Sequence, residues 1–118
     1  MGTLQVGIRL HDLEPVKIEE RIKIASKRGF SCIHLASKLV YSEYKIGREG
    51  LTPGLAAYLK RILKKYELDV AVYGCYLNLA NPDQGQLNEI LEEYEANIRF
   101  ASYLGAHVVG TETGAPNT

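Results

Sequence analysis

The spacing of hydrophobic residues along the chain switches repeatedly between a period of two and a period of about 3.6 residues. In the shorter period apolar and polar side chains alternate, which is typical of a strand with one buried face. Leu4, Val6 and Ile8 show this alternation most clearly. The pattern predicts four short strands, at residues 4–10, 31–36, 69–73 and 107–111.

Three amphipathic helices are predicted between these strands. Pro15 suits the first turn of the first helix, because its missing N–H would be unpaired there, and Gly29 suits the left-handed end. Thr52 and Pro53 indicate the N-cap and first turn of the second helix. The third helix carries one long apolar stripe that we expect to face the core and that ends before Gly105. Its members are Leu87, Ile90, Leu91, Tyr94, Ile98, Ala101 and Leu104.

The segment at residues 37–50 has no clean period. It is polar, mixed in charge and contains Gly47 and Gly50. This composition favours a long loop that can include a helical turn.

Alternating strands and helices predict an α/β fold with a parallel sheet and right-handed crossovers. The first three strands carry polar side chains on one face, among them Arg9, His34 and Tyr73. An open sheet with helices on both sides has two apolar faces, whereas a barrel turns one face inward, where polar groups gather near the mouth. No glycine-rich phosphate loop follows the first strand. The sequence therefore favours a parallel (β/α) half-barrel, with four strands and three helices of a TIM-barrel type fold.

Length and composition fit one soluble domain spanning residues 1–118, since 46% of the residues are hydrophobic and 24% are charged. Fourteen basic residues balance fourteen acidic ones, so the net charge offers nothing to attract nucleic acid or a membrane surface. No apolar run is long enough to span a bilayer, and the N-terminus has no secretory pattern. Cys32 and Cys75 lie in or beside predicted strands, and we expect reduced, buried thiols in a cytoplasmic protein.

Three segments carry a family resemblance. Residues 29–35 (GFSCIHL), 73–80 (YGCYLNLA) and 101–109 (ASYLGAHVV) resemble, in this order and spacing, elements of the xylose-isomerase-like (sugar phosphate isomerase/epimerase) superfamily. The resemblance covers nearly the whole chain and implies the N-terminal half of a (β/α)₈ barrel, because such barrels hold roughly 250 residues. A truncated chain, a short gene product and a half-barrel that dimerises to close the barrel are alternatives that the sequence leaves open.

The resemblance implies a sugar or sugar-phosphate isomerase or epimerase in carbohydrate metabolism, acting on a small-molecule carbohydrate. In such enzymes a divalent cation (Mn, Mg, Zn or Co) polarises a hydroxy-carbonyl substrate and a carboxylate moves a proton. The family holds this cation with residues of later strands, so no metal ligand and no catalytic residue is assigned here. The contrasting expectation is a non-catalytic half-barrel that serves assembly.

Polar residues at the carboxyl ends of the strands are the candidates for substrate binding, because active sites of these barrels lie there. His11, His34, Tyr73 and Glu112 are expected to project toward the mouth, with Asn78 as loop support. Each also has a structural interpretation: a loop or capping role for His11, a hydrogen-bonded structural imidazole for His34, and barrel filling for Tyr73. Arg9 needs a carboxylate partner, and Glu112 is the candidate.

The same residues allow two further interpretations. His11, His34 and Glu112 form an acceptable set of metal ligands, but no close spacing such as His-x-x-x-His supports such a site. The related apurinic endonucleases place zinc-binding histidines where this chain has Tyr73 and Glu112. Together with the zero net charge, this departure disfavours a metal-dependent nuclease.

Overall fold

A computed structural model describes residues 7–75 and 83–110 of the chain. These residues form a four-stranded sheet in the order β1-β2-β3-β4, with every neighbouring pair parallel. The strands are β1 (Gly7–Arg9), β2 (Cys32–Ala36), β3 (Asp69–Gly74) and β4 (Val108–Gly110). The predicted parallel sheet, with strands side by side in chain order, is confirmed.

Four helices connect and cover the strands, one more than the sequence predicted. They are α1 (Ile18–Lys27), α2 (Ser37–Tyr44), α3 (Pro53–Lys65) and α4 (Gln84–Leu104), with 3₁₀ turns at Leu10–Asp12 and Arg48–Gly50. Among the described residues no helix is both long enough and apolar enough to cross a membrane.

The predicted loop at residues 37–50 is wrong over most of its length, because α2 (Ser37–Tyr44) and the 3₁₀ turn at Arg48–Gly50 occupy it. Ser37 and Val40 are buried, and Tyr41 and Tyr44 on the same helical side are partly buried. This spacing of three and four residues gives α2 a short inward face. The intervening polar residues hid that face in the sequence pattern.

The first strand and first helix also differ from the predicted bounds. Leu10 lies in the 3₁₀ turn after β1 rather than in the strand, and residues 4–6 lie outside the described residues. Helix α1 begins at Ile18, so the prediction that Pro15 opens it is wrong. The N–H of Ile18 donates to the Glu43 carboxylate of α2 at 2.6 Å. A side chain that is distant in sequence therefore accepts the hydrogen bond of a backbone N–H group at the start of α1. No local sequence pattern could show this contact.

Helix α4 buries a different stripe from the predicted one. Ala101 and Leu104 are buried as expected, but Leu91 and Ile98 are 43% and 40% exposed. Asn97 and Phe100 take their place in the core, at 1% and 0% exposed. The helix is therefore rotated relative to its most hydrophobic stripe, and Asn97 on its buried side is hydrogen-bonded to Tyr73, Tyr41 and Glu93.

An irregular register in β3 decides which side chains face the helices. Ile33 of β2 is paired with Val70, but the next residue, His34, is paired with Val72. Ala71 is therefore an extra residue of the bulge type, and it reverses the alternation along the rest of β3. Val70 and Tyr73 consequently both belong to the buried layer between the sheet and the helices.

Candidate functional site

His11 and His34 lie against each other at the carboxyl-terminal side of β1 and β2. The 3₁₀ turn after β1 carries His11, and His34 is paired in register with Arg9 of β1. The two imidazole rings are edge-to-face, with centroids 5.6 Å apart and planes at 80°. Both histidines that the sequence assigned to the mouth therefore lie in contact, and their role in substrate binding stays a prediction.

A buried arginine fixes the connection that holds His11 in place. Leu10 is fully buried, and its carbonyl accepts a hydrogen bond from the Arg21 guanidinium at 3.1 Å. The same guanidinium donates to the Val16 carbonyl at 2.7 Å. Both ends of the β1–α1 connection are thus tied to one side chain of α1. From the sequence alone, Arg21 was not identified as a residue that supports the site. The signal that could have revealed its role is its position on the apolar face of α1.

Arg9 finds its carboxylate partner within the same turn. Its Nε donates to Asp12 Oδ2 at 2.8 Å, and both side chains are about half exposed. Asp12 Oδ1 also lies 4.0 Å from His11 Nε2. The proposed partner, Glu112, lies outside the described residues, so Asp12 is the observed partner of Arg9.

The environment of His34 favours its neutral form. Burial lowers the pKa of His34, and the nearby His11 and Arg9 lower it further, whereas Asp12 opposes them. His34 therefore resists protonation at a pH where an ordinary imidazole begins to accept a proton.

Two cavities flank the histidine pair. One of about 310 Å³ is lined by His11, Ala36, Lys38, Leu39 and Ser42. The other, of about 220 Å³, lies on the sheet beside Arg9 and His34, and Cys32, Ala71 and Val72 are among its lining residues. A larger cavity of about 430 Å³ lies where β3 begins, near Lys60, Glu67 and Gly105. It has no histidine or cysteine, so the candidate site is the mouth around the pair.

Tyr73 does not join this mouth, and its predicted direction is wrong. Its side chain is fully buried, and its hydroxyl donates to Asn97 Oδ1 of α4 at 2.8 Å. The ring packs against Phe100, with centroids 5.8 Å apart. The prediction that Tyr73 projects toward the mouth assumed a regular alternation of side chains along the third strand. The extra residue Ala71 breaks that alternation and turns Tyr73 toward the helices.

A buried polar network around Asn97 was also missed. The Asn97 amide donates to Tyr41 Oη and to the Glu93 carbonyl, both at 2.9 Å, while it accepts from Tyr73. The Tyr41 hydroxyl in turn donates to the Glu93 carboxylate. Burial raises the pKa of both tyrosines, so they stay protonated as donors. The network ties α2, which lines the mouth, to α4 and β3.

The two other predicted site residues are not placed by the structure. Asn78 and Glu112 fall in residues 76–82 and 111–118, outside the described residues. Their predicted roles in substrate binding stay predictions.

The described residues do not fit a divalent cation. Within residues 7–75 and 83–110 no three histidine, cysteine or carboxylate side chains cluster closely enough to hold a metal ion. Among the described residues, the carboxylate that lies 4.0 Å from His11, that of Asp12, is engaged by Arg9 at 2.8 Å.

Structural comparison places this architecture among known barrels. The chain is similar to a D-psicose 3-epimerase crystallised in the presence of D-fructose, with a TM-score of 0.73 and 18% identity over 92% of this chain. It is also similar to a xylose isomerase-like TIM barrel/4-hydroxyphenylpyruvate dioxygenase fusion protein, with a TM-score of 0.70 and 12% identity over 93% of the chain. A third similar structure is AsbF of Bacillus anthracis, a probable 3-DHS dehydratase involved in petrobactin synthesis, with a TM-score of 0.66 and 14% identity over 92% of the chain.

These similarities show the fold, which is that of the xylose-isomerase-like TIM barrels, as the sequence resemblance implied. The chain spans 37%, 16% and 38% of the lengths of the three proteins, in the order given. No family model and no curated protein matches the chain.

Proposed function

We propose that the protein is a sugar or sugar-phosphate isomerase or epimerase and that the mouth of its barrel binds a small carbohydrate. The observation that carries the proposal is the contact of His11 and His34, at 5.6 Å between ring centroids, beside open cavities at the carboxyl side of the strands. In this fold the carboxyl ends of the strands form the active site. The similarity to a sugar epimerase supports the substrate class.

The described residues offer the groups that recognise hydroxyl-rich ligands. An imidazole both donates and accepts hydrogen bonds, and Arg9 and Lys38 add donors on either side of the pair. Ser42 contributes a hydroxyl to the cavity beside His11. These side chains bind and orient a substrate. In this proposal the expected divalent cation and carboxylate base belong to parts of the barrel beyond the described residues.

We further propose that the protein acts in the cytoplasm. Cys32 and Cys75 are both free and buried. Burial raises the pKa of the Cys75 thiol to about 11, which suppresses the reactive thiolate. Free structural thiols are typical of a reducing compartment.

Titration of the isotope-labelled chain with D-fructose and with fructose 6-phosphate tests the binding site. We expect both ligands, or one of them, to shift the backbone amide signals of His11, His34 and Ala36 in a saturable manner. The variant His11→Asn is expected to weaken this binding, and His107→Asn, outside the mouth, is the matched control. Shifts confined to Lys60 and Gly105, around the larger cavity, would refute the assignment of the site.

A non-catalytic half-barrel that assembles through its sheet edges is the second candidate. It is favoured by the openness of the described sheet, in which β1 and β4 each pair with one neighbour. Val108 on β4 is 55% exposed, which is a large fraction for an apolar strand residue. The state of association decides between the two candidates only together with the ligand titration, since a dimer can also bind sugar.

A further inference from the structure

The cavity of about 310 Å³ beside His11 brings together hydrogen-bond donors from two elements. Its polar side chains are those of His11, Lys38 and Ser42, and none of the described residues that line it carries a carboxylate. Lys38 and Ser42 lie four residues apart on α2, so they are neighbours on one side of the helix. His11 reaches the same space from the 3₁₀ turn after β1.

Lys38 brings a positive charge to this cavity that no described side chain balances. Within the part of the chain that the structure describes, its ammonium group has no ion pair and no hydrogen bond. Arg9 differs, because its guanidinium is bound to the Asp12 carboxylate at 2.8 Å. That carboxylate also lies 4.0 Å from His11 Nε2, but the arginine already balances its charge.

The carboxylate of α2 is engaged away from this cavity. Glu43 accepts the backbone N–H of Ile18 at 2.6 Å, and it lines a separate cavity of about 300 Å³ together with Lys17 and Tyr58. The cavity beside His11 therefore presents an ammonium group, an imidazole and a hydroxyl without a carboxylate of its own. Such a set of groups attracts an anion.

We propose that His11, Lys38 and Ser42 form an anion subsite, in which Lys38 binds a phosphate ester or a carboxylate at one end of the carbohydrate substrate. The inference rests on the proposed function, and it narrows the substrate class to carbohydrates that carry an anionic group. The ammonium group attracts such a group as a point charge. The hydroxyl of Ser42 and the ring N–H of His11 donate hydrogen bonds to its oxygens.

The anion subsite suits the end of the substrate that does not react. In the proposed function the cation and the carboxylate base belong to parts of the barrel beyond the described residues, so the reacting carbons lie toward those parts. Binding energy from a remote group of the substrate orients the reacting carbons. Lys38 is therefore a specificity-determining residue that takes no part in proton transfer.

Three ligands that differ only at C6 test the anion subsite. D-Fructose is neutral there, fructose 6-phosphate carries a phosphate ester, and D-fructuronate carries a carboxylate. Each is titrated into the isotope-labelled chain at a pH of about 7.5, where a phosphate ester is mostly a dianion, and the backbone amide signals of Lys38 and Ser42 are followed. We expect at least one anionic ligand to bind about tenfold more tightly than D-fructose, and the tighter of the two identifies the anion. Equal affinities for all three ligands overturn the inference.

The variant Lys38→Gln removes the charge and keeps a side chain of similar length. We expect it to abolish the preference for the anionic ligand and to change the affinity for D-fructose by less than about twofold. Because Lys38 is exposed, the variant is expected to fold. Lys60→Gln, at an exposed lysine of α3 that lines the larger cavity, is the matched control and should keep the preference. A preference that survives Lys38→Gln places the anion elsewhere and overturns the inference.

The ionic strength gives an independent readout of the same charge. Raising it from about 0.01 M to about 0.1 M shortens the Debye length from about 30 Å to about 10 Å. This change should weaken binding of the anionic ligand to the wild type, and it should leave D-fructose binding and all binding to Lys38→Gln unaffected. An anionic ligand whose affinity for the wild type does not depend on salt contradicts a role for the ammonium group.

The outcomes separate this inference from the proposed function. If D-fructose shifts the amide signals of the mouth as readily as its anionic analogues do, carbohydrate binding stands and the anion subsite falls. If none of the three ligands shifts these signals, the proposed function fails and the inference fails with it.

Discussion

The Tyr73 hydroxyl joins the sheet to the longest helix through a single buried hydrogen bond. It donates to Asn97 Oδ1 at 2.8 Å, and Asn97 is only 1% exposed. We expect Tyr73→Phe to lower the free energy of unfolding by about 1–3 kcal/mol, because it leaves a buried acceptor without its donor. Urea denaturation measures the change. Tyr58→Phe, at a residue that is 43% exposed, should change stability by less than about 0.5 kcal/mol. Equal losses in both variants would contradict this account.

The depressed pKa of His34 makes stability depend on pH in a defined direction. Folding lowers this pKa below 6.5, chiefly by burial, so the unfolded chain binds a proton more readily than the folded chain. Stability is therefore expected to fall as the pH drops from 6.5 through the folded pKa, and to be retained above 6.5. Urea midpoints across this range measure the effect. His34→Asn should flatten the decline, whereas the exposed His107→Asn should preserve it. A steeper decline in His34→Asn would reverse the assignment.

All four helices end in the same way, and this supports a prediction at the scale of the element. The left-handed residues that follow α1, α2, α3 and α4 have φ values of 87°, 53°, 56° and 77°, and they are Gly29, Lys45, Glu67 and Gly105. In each case the next residue donates its N–H back across the last turn, as Leu68 does to Leu63 at 2.9 Å. Lys45 and Glu67 are the two residues of this set that are not glycine, and their side chains disfavour the left-handed conformation.

We expect Glu67→Gly to raise the free energy of unfolding by about 0.5–1 kcal/mol, since it relieves this conformational cost. The reverse change, Gly105→Ala, should destabilise the protein by about 1 kcal/mol. A Cβ atom at Gly105 would meet nothing within 4 Å, so its cost is conformational rather than steric. Thermal and urea denaturation of both variants check the two signs. Destabilisation by Glu67→Gly would show that the glutamate side chain makes a compensating interaction.

At the scale of helices and strands, the features that could be predicted from the sequence are those that depend only on neighbouring residues. The order of the predicted strands and helices, the Thr52 cap and the left-handed ends at Gly29 and Gly105 follow from local sequence, and the structure confirms them. The missed features depend on contacts between distant residues. Glu43 caps α1 from 25 residues away, and Asn97 bonds to Tyr41 across 56 residues. Such contacts leave no periodic trace in either segment.

In the candidate site, too, some features follow from local sequence and others depend on contacts between distant residues. His11 and His34 could be predicted to meet, because strand ends in a parallel sheet share one side. The direction of Tyr73 could not, because a single extra residue in β3 reverses the alternation. Helix α2, whose Lys38 and Ser42 line the mouth, was hidden in the polar segment at residues 37–50. The general location of the site was therefore predictable, and its lining was not.

At the scale of the described structure as a whole, the open sheet is the dominant physical feature. Within the described residues, β1 and β4 each leave one side without a paired strand. Val108, paired with Val72, is 55% exposed. Exposed strand edges with apolar side chains favour pairing with another chain. Two four-stranded halves provide the eight strands of a closed barrel, and a two-fold axis would create two identical seams.

We therefore expect the 118-residue chain to form a dimer, with twice its mass of 13.1 kDa in sedimentation experiments. Val108→Lys should weaken the dimer about tenfold or more, because it places a charge beside the β4 edge. Tyr58→Lys is the matched control, since Tyr58 is also exposed but lies on α3, which is flanked by α1 and α4. Equal effects of the two lysines would place the contact elsewhere on the surface. A chain that stays monomeric at all concentrations would show that its edges are protected without a second copy, and the proposal of a barrel closed by dimerisation would be abandoned.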